Sequence, residues 1–272
     1  MQVFLINLDR RTDRLAAMTS QLAAFGIAAT RIAAVDADKV SDEWLQQAFT
    51  ARGPLGVIPK GDRCCSLSHR RAWARFVTGG APYAAVLEDD VVLDASHSRL
   101  LKQHDWIPDG ADLVKLEHFG PEHQRVLVGE ELSIGHRLAL APILSRHTGA
   151  AAYVVSRSAA IRLLRMRRWS VPVDHLLFNP NVSPVAEELK PYQMLPAVAR
   201  QGEGASDIRP WRLADRRLGL KLARREIVRA YYECRLLPKQ IAAVLRGEAH
   251  LARVAGTIAP PLDFVPARTG TA

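Results

Sequence analysis

Three consecutive carboxylates directly follow a short apolar run, and they are the strongest chemical signal in the sequence. The run covers residues 84–87, and the acidic residues are Glu88, Asp89 and Asp90. Carboxylates this close repel one another and lose hydration, and a bound cation relieves both costs. A few oxygen ligands suit Mn²⁺ or Mg²⁺, because these ions keep several bound waters and substrate phosphates complete their coordination shell. The alternative interpretation is a solvated acidic turn without a ligand.

A second cluster lies near the N-terminus, where arginines surround a predicted strand end and helix start. Residues 7–14 read NLDRRTDR, with Asn7 and Leu8 ahead of Arg10 and Arg14. Backbone N–H groups and the helix dipole favour anions at a helix start, so the segment fits phosphate recognition. The alternative is an exposed first turn in which the arginines only pair with the aspartates of the same turn.

Polar residues in three further segments could take part in binding or catalysis. Ser68 and His69 lie in a predicted helix upstream of the acidic triplet, where a histidine could contact a phosphate or a sugar. The alternative is a histidine that hydrogen bonds within the fold. Asp174, in the proline-bounded turn PVDH (172–175), could be a general base or cap a short helix. Asp207 in the SDI segment poses the same choice.

An alternation of strand and helix patterns positions these residues. Apolar runs and amphipathic patterns predict strands at 3–8, 27–35 and 84–87 and helices at 12–25, 41–49 and 66–77. Thr12 and Ser41 are the predicted caps, and Gly26 ends the first helix. This order predicts an α/β fold with a mostly parallel sheet and helices on both faces. Ligands of such sheets bind beyond the carboxyl ends of the strands, where Asp9 and the acidic triplet lie.

The second half of the chain has a less regular pattern. Strands are predicted at 111–116, 125–128, 137–144 and 150–155, followed by a helix that ends at 164. Five prolines between 172 and 196 predict long loops. A long helix is expected at 212–237, and the last residues read as a disordered tail.

Composition excludes several classes of protein. The chain has 272 residues, of which 48% are hydrophobic and 24% charged, as expected of a globular protein rather than a disordered one. The longest uncharged apolar stretches are far shorter than the roughly 20 residues that a bilayer helix needs. The three cysteines, Cys64, Cys65 and Cys234, fit neither a disulfide framework nor a zinc motif with a two-residue gap. With no secretory signal pattern at Met1, we expect reduced thiols and a cytoplasmic protein.

The positive charge is concentrated in one part of the chain. Residues 200–253 contain thirteen Lys or Arg and six Asp or Glu, a net of 13 − 6 = +7, so the rest carries 9 − 7 = +2. A basic segment of this kind suits an anionic partner such as membrane headgroups. Nucleic acid is disfavoured because no recognised binding motif accompanies the segment and aromatic residues make up only 6%. The alternative is a solvated amphipathic helix without a partner.

In chain order, seven short blocks resemble glycosyltransferase family 25. They are INLDRRTDR (6–14), AVDA (34–37), CCSLSH (64–69), VLEDDV (86–91), TGAAAYVVSRSAA (148–160), PVDH (172–175) and PAVARQ with SDI (196–201, 206–208). The family includes bacterial enzymes that extend lipopolysaccharide or lipooligosaccharide and relatives that galactosylate collagen. The resemblance implies a GT-A-type, Rossmann-like fold and inverting transfer from a nucleotide sugar, usually UDP-galactose, to a hydroxyl.

The resemblance also implies roles for individual residues. Asp90 would contact the Mn²⁺ or Mg²⁺ ion, and Glu88 the ribose or a water on the metal. Asp36, after the second strand, resembles the residue that meets the nucleoside. From this resemblance, and from the positions next to the matching residues, we expect the donor site to contain the following residues: Asn7, Leu8, Arg10, Arg14, Asp36, Ser68, His69, Glu88 and Asp89. Ala37 and Cys64 stand where the family often has glycine, which affects the expected loop geometry more than the chemistry.

The sequence therefore predicts an inverting glycosyltransferase of surface-glycan synthesis. Inverting transfer needs a base for the acceptor proton, and we expect Asp174 in that role, with Asp207 and Glu117 as weaker candidates. The predicted organisation is a catalytic domain at 1–210, a basic helical extension at 211–255 and a flexible tail at 256–272. The extension would place the enzyme on the cytoplasmic face of the inner membrane, near a lipid-linked acceptor. The alternative is a non-catalytic basic protein that binds membrane or nucleic acid.

Overall fold

The N-terminal third alternates strands and helices in the predicted order. The computed structural model describes residues 1–119, 125–202, 227–228, 230–232 and 234–256. The first elements are β1 (Gln2–Asn7), α1 (Thr12–Ala24), β2 (Thr30–Ala33), α2 (Asp42–Gln46), α3 (Lys60–Val77), β3 (Tyr83–Glu88), β4 (Val91–Leu93) and a 3-10 helix (Ala95–Leu101). Ser41 caps α2 as predicted, because its side chain accepts a hydrogen bond from the Trp44 amide. The predicted cap Thr12 is wrong, since Arg11 occupies the N-cap position without a side-chain hydrogen bond.

The proline-rich part of the chain is ordered, and the predicted long loops are absent from the described residues 172–196. The later elements are β5 (Leu113–Lys115), β6 (Glu117–His118), β7 (Arg125–Val128), β8 (Leu132–Gly135), β9 (Leu138–Pro142), β10 (Ala152–Ser156), α4 (Arg157–Leu164), α5 (Val173–Phe178), α6 (Pro184–Glu188), β11 (Pro191–Leu195), β12 (Ala199–Gln201), α7 (Leu237–Leu245) and β13 (His250–Arg253). Pro172 precedes α5, Pro184 opens α6 and Pro191 begins β11. Proline lacks a backbone N–H but is tolerated at helix starts and strand starts, so these residues mark boundaries rather than loops.

The main sheet is mixed rather than uniformly parallel. Its order is β2-β1-β3-β10-β5-β11-β9-β8. Six of the eight strands run in one direction, but β10 and β9 run in the other, so four of the seven pairings are antiparallel. Because β10 is reversed between β3 and β5, its first residues meet the carboxyl ends of these two neighbours. The end of the sheet at which we predicted ligand binding is therefore formed by the carboxyl ends of β3 and β5 together with the start of β10.

Helices cover both faces of the sheet, and the strands are apolar on both sides. In β1, Phe4 and Ile6 belong to the core layer shared with α3, α4 and α5. Val3 and Leu5 point the other way and pack with Met18 of α1 and with the 3-10 helix. Alternate residues of a strand face opposite sides, so a strand buried between two helix layers reads as a continuous apolar run. This is why the VFLIN pattern predicted the strand correctly.

The described part of the basic C-terminal segment packs partly on the body. Strand β13 pairs antiparallel with β7, and Leu236 and Val254 are buried. The predicted helix at 212–237 lies largely outside the described residues, although those described between 227 and 234 are helical. The domain boundary at 210 stays a prediction, as does the tail, of which only residue 256 is described. Within the described ranges, no helix combines the length and apolar character needed to cross a bilayer.

Candidate active site

A cleft opens at the carboxyl ends of β1 and β3 and gathers most of the predicted site residues. Its lining includes Asn7, Leu8, Arg10, Arg14, Asp36, Ser68, Glu88, Asp89, Asp90 and Asp174. Strand ends, the first turn of α1 and the start of α5 bring these residues together from distant parts of the chain. His69 does not line the cleft and is fully buried behind the lining residues. Asp207 falls outside the described residues.

Asn7 holds the end of β1 against the acidic triplet. The side chain is 1% exposed, and its Nδ2 donates to Asp89 Oδ2 at 2.7 Å and to the Arg11 carbonyl oxygen at 3.0 Å. Its Oδ1 accepts from Arg31 Nε at 3.0 Å. All the polar atoms of the Asn7 side chain form hydrogen bonds inside the protein, so Asn7 shapes this part of the cleft from within.

Arg10 and Arg14 pair with carboxylates that lie after β2 and after β3. Arg14 Nη1 lies 3.2 Å from Asp89 Oδ1 and 3.4 Å from Asp90 Oδ2. Arg10 Nη1 lies 2.5 Å from Asp36 Oδ1. Burial acts to raise the pKa of Asp36, but the hydrogen bonds from Arg10 and the Asp38 amide, together with the charges of Arg10 and Lys39, hold this pKa below its usual value. Arg10 and Arg14 therefore reach carboxylates beyond the first turn, whereas Arg11 pairs with Asp13 inside it.

Asp90 is the acidic residue with an uncommitted oxygen. Its Oδ1 is buried and has no hydrogen-bond partner in the described part of the chain. Burial, together with the negative charge of Glu88, raises the pKa of Asp90 to about 7. A solvated acidic turn would show neither property, since exposed carboxylates keep their usual pKa. The acidic triplet is therefore a buried group of carboxylates in which Asp90 Oδ1 has no partner, although Arg14 lies 3.4 Å from the other oxygen of Asp90.

Glu88 is fixed from behind by α3. Its Oε1 lies 3.1 Å from His69 Nε2 and 3.6 Å from Cys65 Sγ. On the far side, His69 Nδ1 lies 3.0 Å from the Tyr153 hydroxyl, to which Trp73 Nε1 donates at 2.8 Å. Burial acts to raise the pKa of Glu88, but the interactions with His69 and the hydrogen bond from Cys65 together hold it below its usual value. The structure thus favours the interpretation of His69 as hydrogen-bonded within the fold.

Ser68 also uses its hydroxyl inside the protein. Its Oγ accepts from the Val35 amide and donates to the Cys64 carbonyl oxygen, both at 2.8 Å. The residue ties α3 to the segment that carries Asp36 while one side of it faces the cleft. Its predicted contact with the donor stays a prediction.

A buried ion pair between Lys115 and Glu117 supports the opposite wall of the cleft, and no sequence motif indicated Lys115. Lys115 and Glu117 are both 0% exposed, with Nζ 2.7 Å from Oε1. Lys115 also donates to the Gly149 carbonyl oxygen at 2.5 Å, and Glu117 Oε1 accepts from the Ala151 amide at 2.9 Å. Gly149 has φ +86°, and a Cβ there would lie 2.8 Å from Glu117 Oε1. The pair therefore shapes the turn before β10, where only glycine fits.

Asp174 faces this turn from the start of α5. Its Oδ2 lies 3.5 Å from the Gly149 amide nitrogen. Asp174 is inside the first turn of α5 and Pro172 is the N-cap, so the helix-cap interpretation is wrong. Glu117 is buried and does not line the cleft, so the geometry favours Asp174 as the carboxylate that can reach a ligand.

Sequence reasoning missed the residues that support the site. Lys115, Gly149 and Tyr153 carry no motif of their own, although the last two stand in the block at 148–160. Cys65 and His69 are four residues apart on α3, a spacing that places both on one helix face. This spacing could have indicated from the sequence that Cys65 belongs to the site. Its contact with Glu88 could not be predicted, because Glu88 lies on β3.

Comparison with known proteins agrees with this geometry. Residues 1–177 match the family described as Glycosyltransferase family 25 (LPS biosynthesis protein). Because the match covers more than half of the 272 residues, the chain belongs to glycosyltransferase family 25, as the seven blocks predicted.

Individual relatives are similar over most of this chain. One is the lacto-N-neotetraose biosynthesis glycosyltransferase LgtB of Neisseria meningitidis serogroup A, 30% identical over 219 residues and 74% of each chain. Another is LgtE of N. meningitidis serogroup B, 26% identical over 215 residues and 74% of each chain. A third is the probable inactive glycosyltransferase 25 family member 3 of Bos taurus, 28% identical over 195 residues, which are 65% of this chain and 31% of that protein.

Proposed function

We propose that the chain is an inverting glycosyltransferase that moves a sugar, galactose in our assignment, from a UDP-sugar to a hydroxyl of a lipooligosaccharide or other surface glycan. The observation that carries the proposal is the buried Asp90 carboxylate, with its unpartnered Oδ1 and its pKa of about 7. Two of the relatives are named for the biosynthesis of a lacto-N-neotetraose glycan, which supports a glycan acceptor. The intact acidic triplet argues against a family member that binds a nucleotide sugar without transferring it.

The carboxylates fit a hard divalent cation. Asp90 Oδ1 is uncommitted, and Glu88 has its Oε1 held from behind by His69 while the residue faces the cleft. Both oxygens of Asp89 are occupied by Asn7 and Arg14, so Asp89 positions the other two. Asp90 and Glu88 would therefore hold Mn²⁺ or Mg²⁺. When bound, such an ion neutralises the negative charge of the departing diphosphate.

The donor and acceptor take opposite walls of the cleft. Arg10, Arg14 and the start of α1 supply positive charge on the β1 side, where the diphosphate binds and Asp36 meets the nucleoside. Asp174 and the Gly149 turn form the other wall, where the acceptor hydroxyl approaches the anomeric carbon. Asp174 takes the hydroxyl proton as the new bond forms and the UDP–sugar bond breaks. The sugar is thereby attacked from the face opposite to the leaving group, which inverts the anomeric centre.

Replacing Asp90 with Ala should abolish turnover of the UDP-sugar. The substitution removes the uncommitted oxygen and the charge that a cation needs. The measurement is released UDP in a screen of nucleotide sugars with Mn²⁺, with Asp105→Ala, an exposed aspartate, as the matched control. Full activity of Asp90→Ala in EDTA would contradict the metal assignment, and no UDP release by the wild type with any donor would contradict the transferase.

A second part of the proposal concerns placement at an anionic membrane. On α7, Leu237, Ile241 and Val244 are about half exposed and Leu245 is 82% exposed, so an apolar stripe faces solvent. The helix lies within residues 200–253, the segment with a net charge of +7. An apolar stripe beside basic residues is the pattern of a helix lying in a lipid interface. We assign the cytoplasmic face of the inner membrane as the location, close to a lipid-linked acceptor.

Neutralising the basic segment should weaken binding to anionic vesicles. A full-length variant with Gln in place of Arg216, Arg217, Lys221, Arg224 and Arg225 is compared with the wild type by co-sedimentation. At about 1 kcal/mol per basic residue near the surface, five substitutions should lower binding by more than tenfold. Gln at the exposed residues Arg165, Arg167 and Arg168 is the control and should change it little. If all three proteins bind the anionic vesicles equally, the basic segment does not bind the membrane and its charge serves solubility only.

A further inference from the structure

Three side chains of different metal-binding chemistry meet at the back of the cleft. The ligand atoms of Cys65, His69 and Glu88 all lie within 4.8 Å of one another. Glu88 Oε1 is 3.6 Å from Cys65 Sγ and 3.1 Å from His69 Nε2. Atoms this close can ligate one ion with modest side-chain adjustments, because Zn–S and Zn–N bonds are about 2.0–2.3 Å long.

The helix explains why two of these ligands converge. Cys65 and His69 are four residues apart on α3, so both side chains lie on the face that looks at the end of β3. Two ligands at this spacing on a helix, with a third from another element, is a common way to build a zinc site. The cysteine pair itself has no such spacing, and the neighbouring Cys64 does not join the cluster in the described structure.

We propose that Cys65, His69 and Glu88 form a binding site for a thiophilic divalent cation of the Zn²⁺ class, and that its occupation inhibits the enzyme by withdrawing Glu88 from the donor. One thiolate, one imidazole and one carboxylate suit Zn²⁺, whereas Mn²⁺ and Mg²⁺ prefer oxygen ligands alone. Cys65 and Glu88 line the cleft, so a fourth position is open to water. Only the inhibition rests on the proposed function; the binding does not.

The surroundings of His69 can support the bound ion. The Tyr153 oxygen already accepts from Trp73 Nε1 at 2.8 Å and lies 3.0 Å from His69 Nδ1. In the tautomer that carries its proton on Nε2, Tyr153 donates to Nδ1 and Nε2–H donates to Glu88. With the ion, Nδ1–H donates to the Tyr153 oxygen, and Nε2 turns its lone pair to the metal. A metal-bound histidine usually donates its other N–H in this way, and binding releases the proton of the Cys65 thiol.

The charge around the thiol also attracts a cation. Glu88, Asp62 and Asp174 are near enough for their negative charges to act on Cys65. Asp62 and Asp174 line the same cleft. A divalent ion at Cys65 would be stabilised by its own ligands and by these two further carboxylates.

Cobalt is the direct probe of the binding step. Full-length wild type titrated with Co²⁺, in the absence of any nucleotide, should develop a thiolate-to-cobalt absorption band in the near ultraviolet. Cys65→Ser should lose the band, and Cys64→Ser should keep it. Absence of the band in the wild type, its survival in Cys65→Ser or its loss in Cys64→Ser would overturn the site. Bound Zn²⁺ should also protect Cys65 from alkylation in the wild type, as read by mass spectrometry, and unprotected Cys65 would count equally against it.

The inhibition is tested separately with released UDP in the presence of Mn²⁺. Zn²⁺ should inhibit the wild type and Cys64→Ser alike, and Cys65→Ser should need at least about tenfold more Zn²⁺ for the same fractional inhibition. Equal sensitivity of the three proteins would overturn the inhibitory role. A cobalt band in a protein that releases no UDP would instead contradict the proposed function and leave the metal site standing.

Discussion

Replacing Asp174 with Asn should lower kcat by about 10²–10⁴-fold, because an amide cannot accept the proton of the acceptor hydroxyl. The amide oxygen can still accept from the Gly149 N–H, which now lies 3.5 Å from Asp174 Oδ2, so the turn before β10 should keep its shape. The affinity for UDP should stay close to that of the wild type, since the arginines and Asp36 lie on the other wall. The measurements are steady-state kinetics with the donor found in the screen and calorimetry with UDP.

The control for this variant is Asp109→Asn, which makes the same chemical change at an exposed residue and should leave kcat unchanged. Near-normal turnover of Asp174→Asn with intact UDP binding would remove Asp174 from the role of base. A loss of UDP affinity as large as the loss of kcat would mean that Asp174 supports the donor site instead.

Replacing Lys115 with Met should lower the free energy of unfolding by about 3–5 kcal/mol, because it leaves the Glu117 carboxylate buried without its partner. Burial lowers the pKa of Lys115 and raises that of Glu117, so each group depends on the other for its charge. Glu117 Oε2 already has no hydrogen-bond partner among the described residues. The measurement is urea unfolding followed by circular dichroism.

Two comparisons make the result specific to the pair. Lys190→Met removes an exposed lysine and should change the free energy of unfolding by no more than about 0.5 kcal/mol. The double variant Lys115→Met with Glu117→Gln should recover part of the loss, since no unpaired charge then remains buried. If the double variant loses as much free energy of unfolding as Lys115→Met and Glu117→Gln lose in sum, the two groups act independently.

The sequence was informative where a signal is local. The apolar run of β1, the acidic triplet and the cap at Ser41 were predicted because each depends on residues close together in the chain. The clustering of Asn7, Asp36 and the acidic triplet could be predicted from this information, since the carboxyl ends of neighbouring parallel strands meet at one edge of a sheet.

The rest of the site depends on pairings that the sequence does not display. Lys115 meets Gly149 only because β10 runs antiparallel between β3 and β5, and nothing in the apolar run of β10 specifies its direction. One of the two hydrogen-bond partners of His69 is Tyr153, 84 positions away in the sequence. The prolines misled for a related reason: proline ends some elements and begins others, and its role is set by the position that tertiary packing assigns to it.

The reversed β10 also has a consequence for synthesis of the protein. As the chain leaves the ribosome, β1, β2 and β3 can pair with one another, but β3 keeps an open edge until residues 152–156 arrive. That edge belongs to a strand whose residues 84–87 are fully buried in the finished fold, and exposed apolar edges are templates for aggregation. The nascent chain therefore carries β3 with one edge unpaired through the synthesis of more than sixty residues.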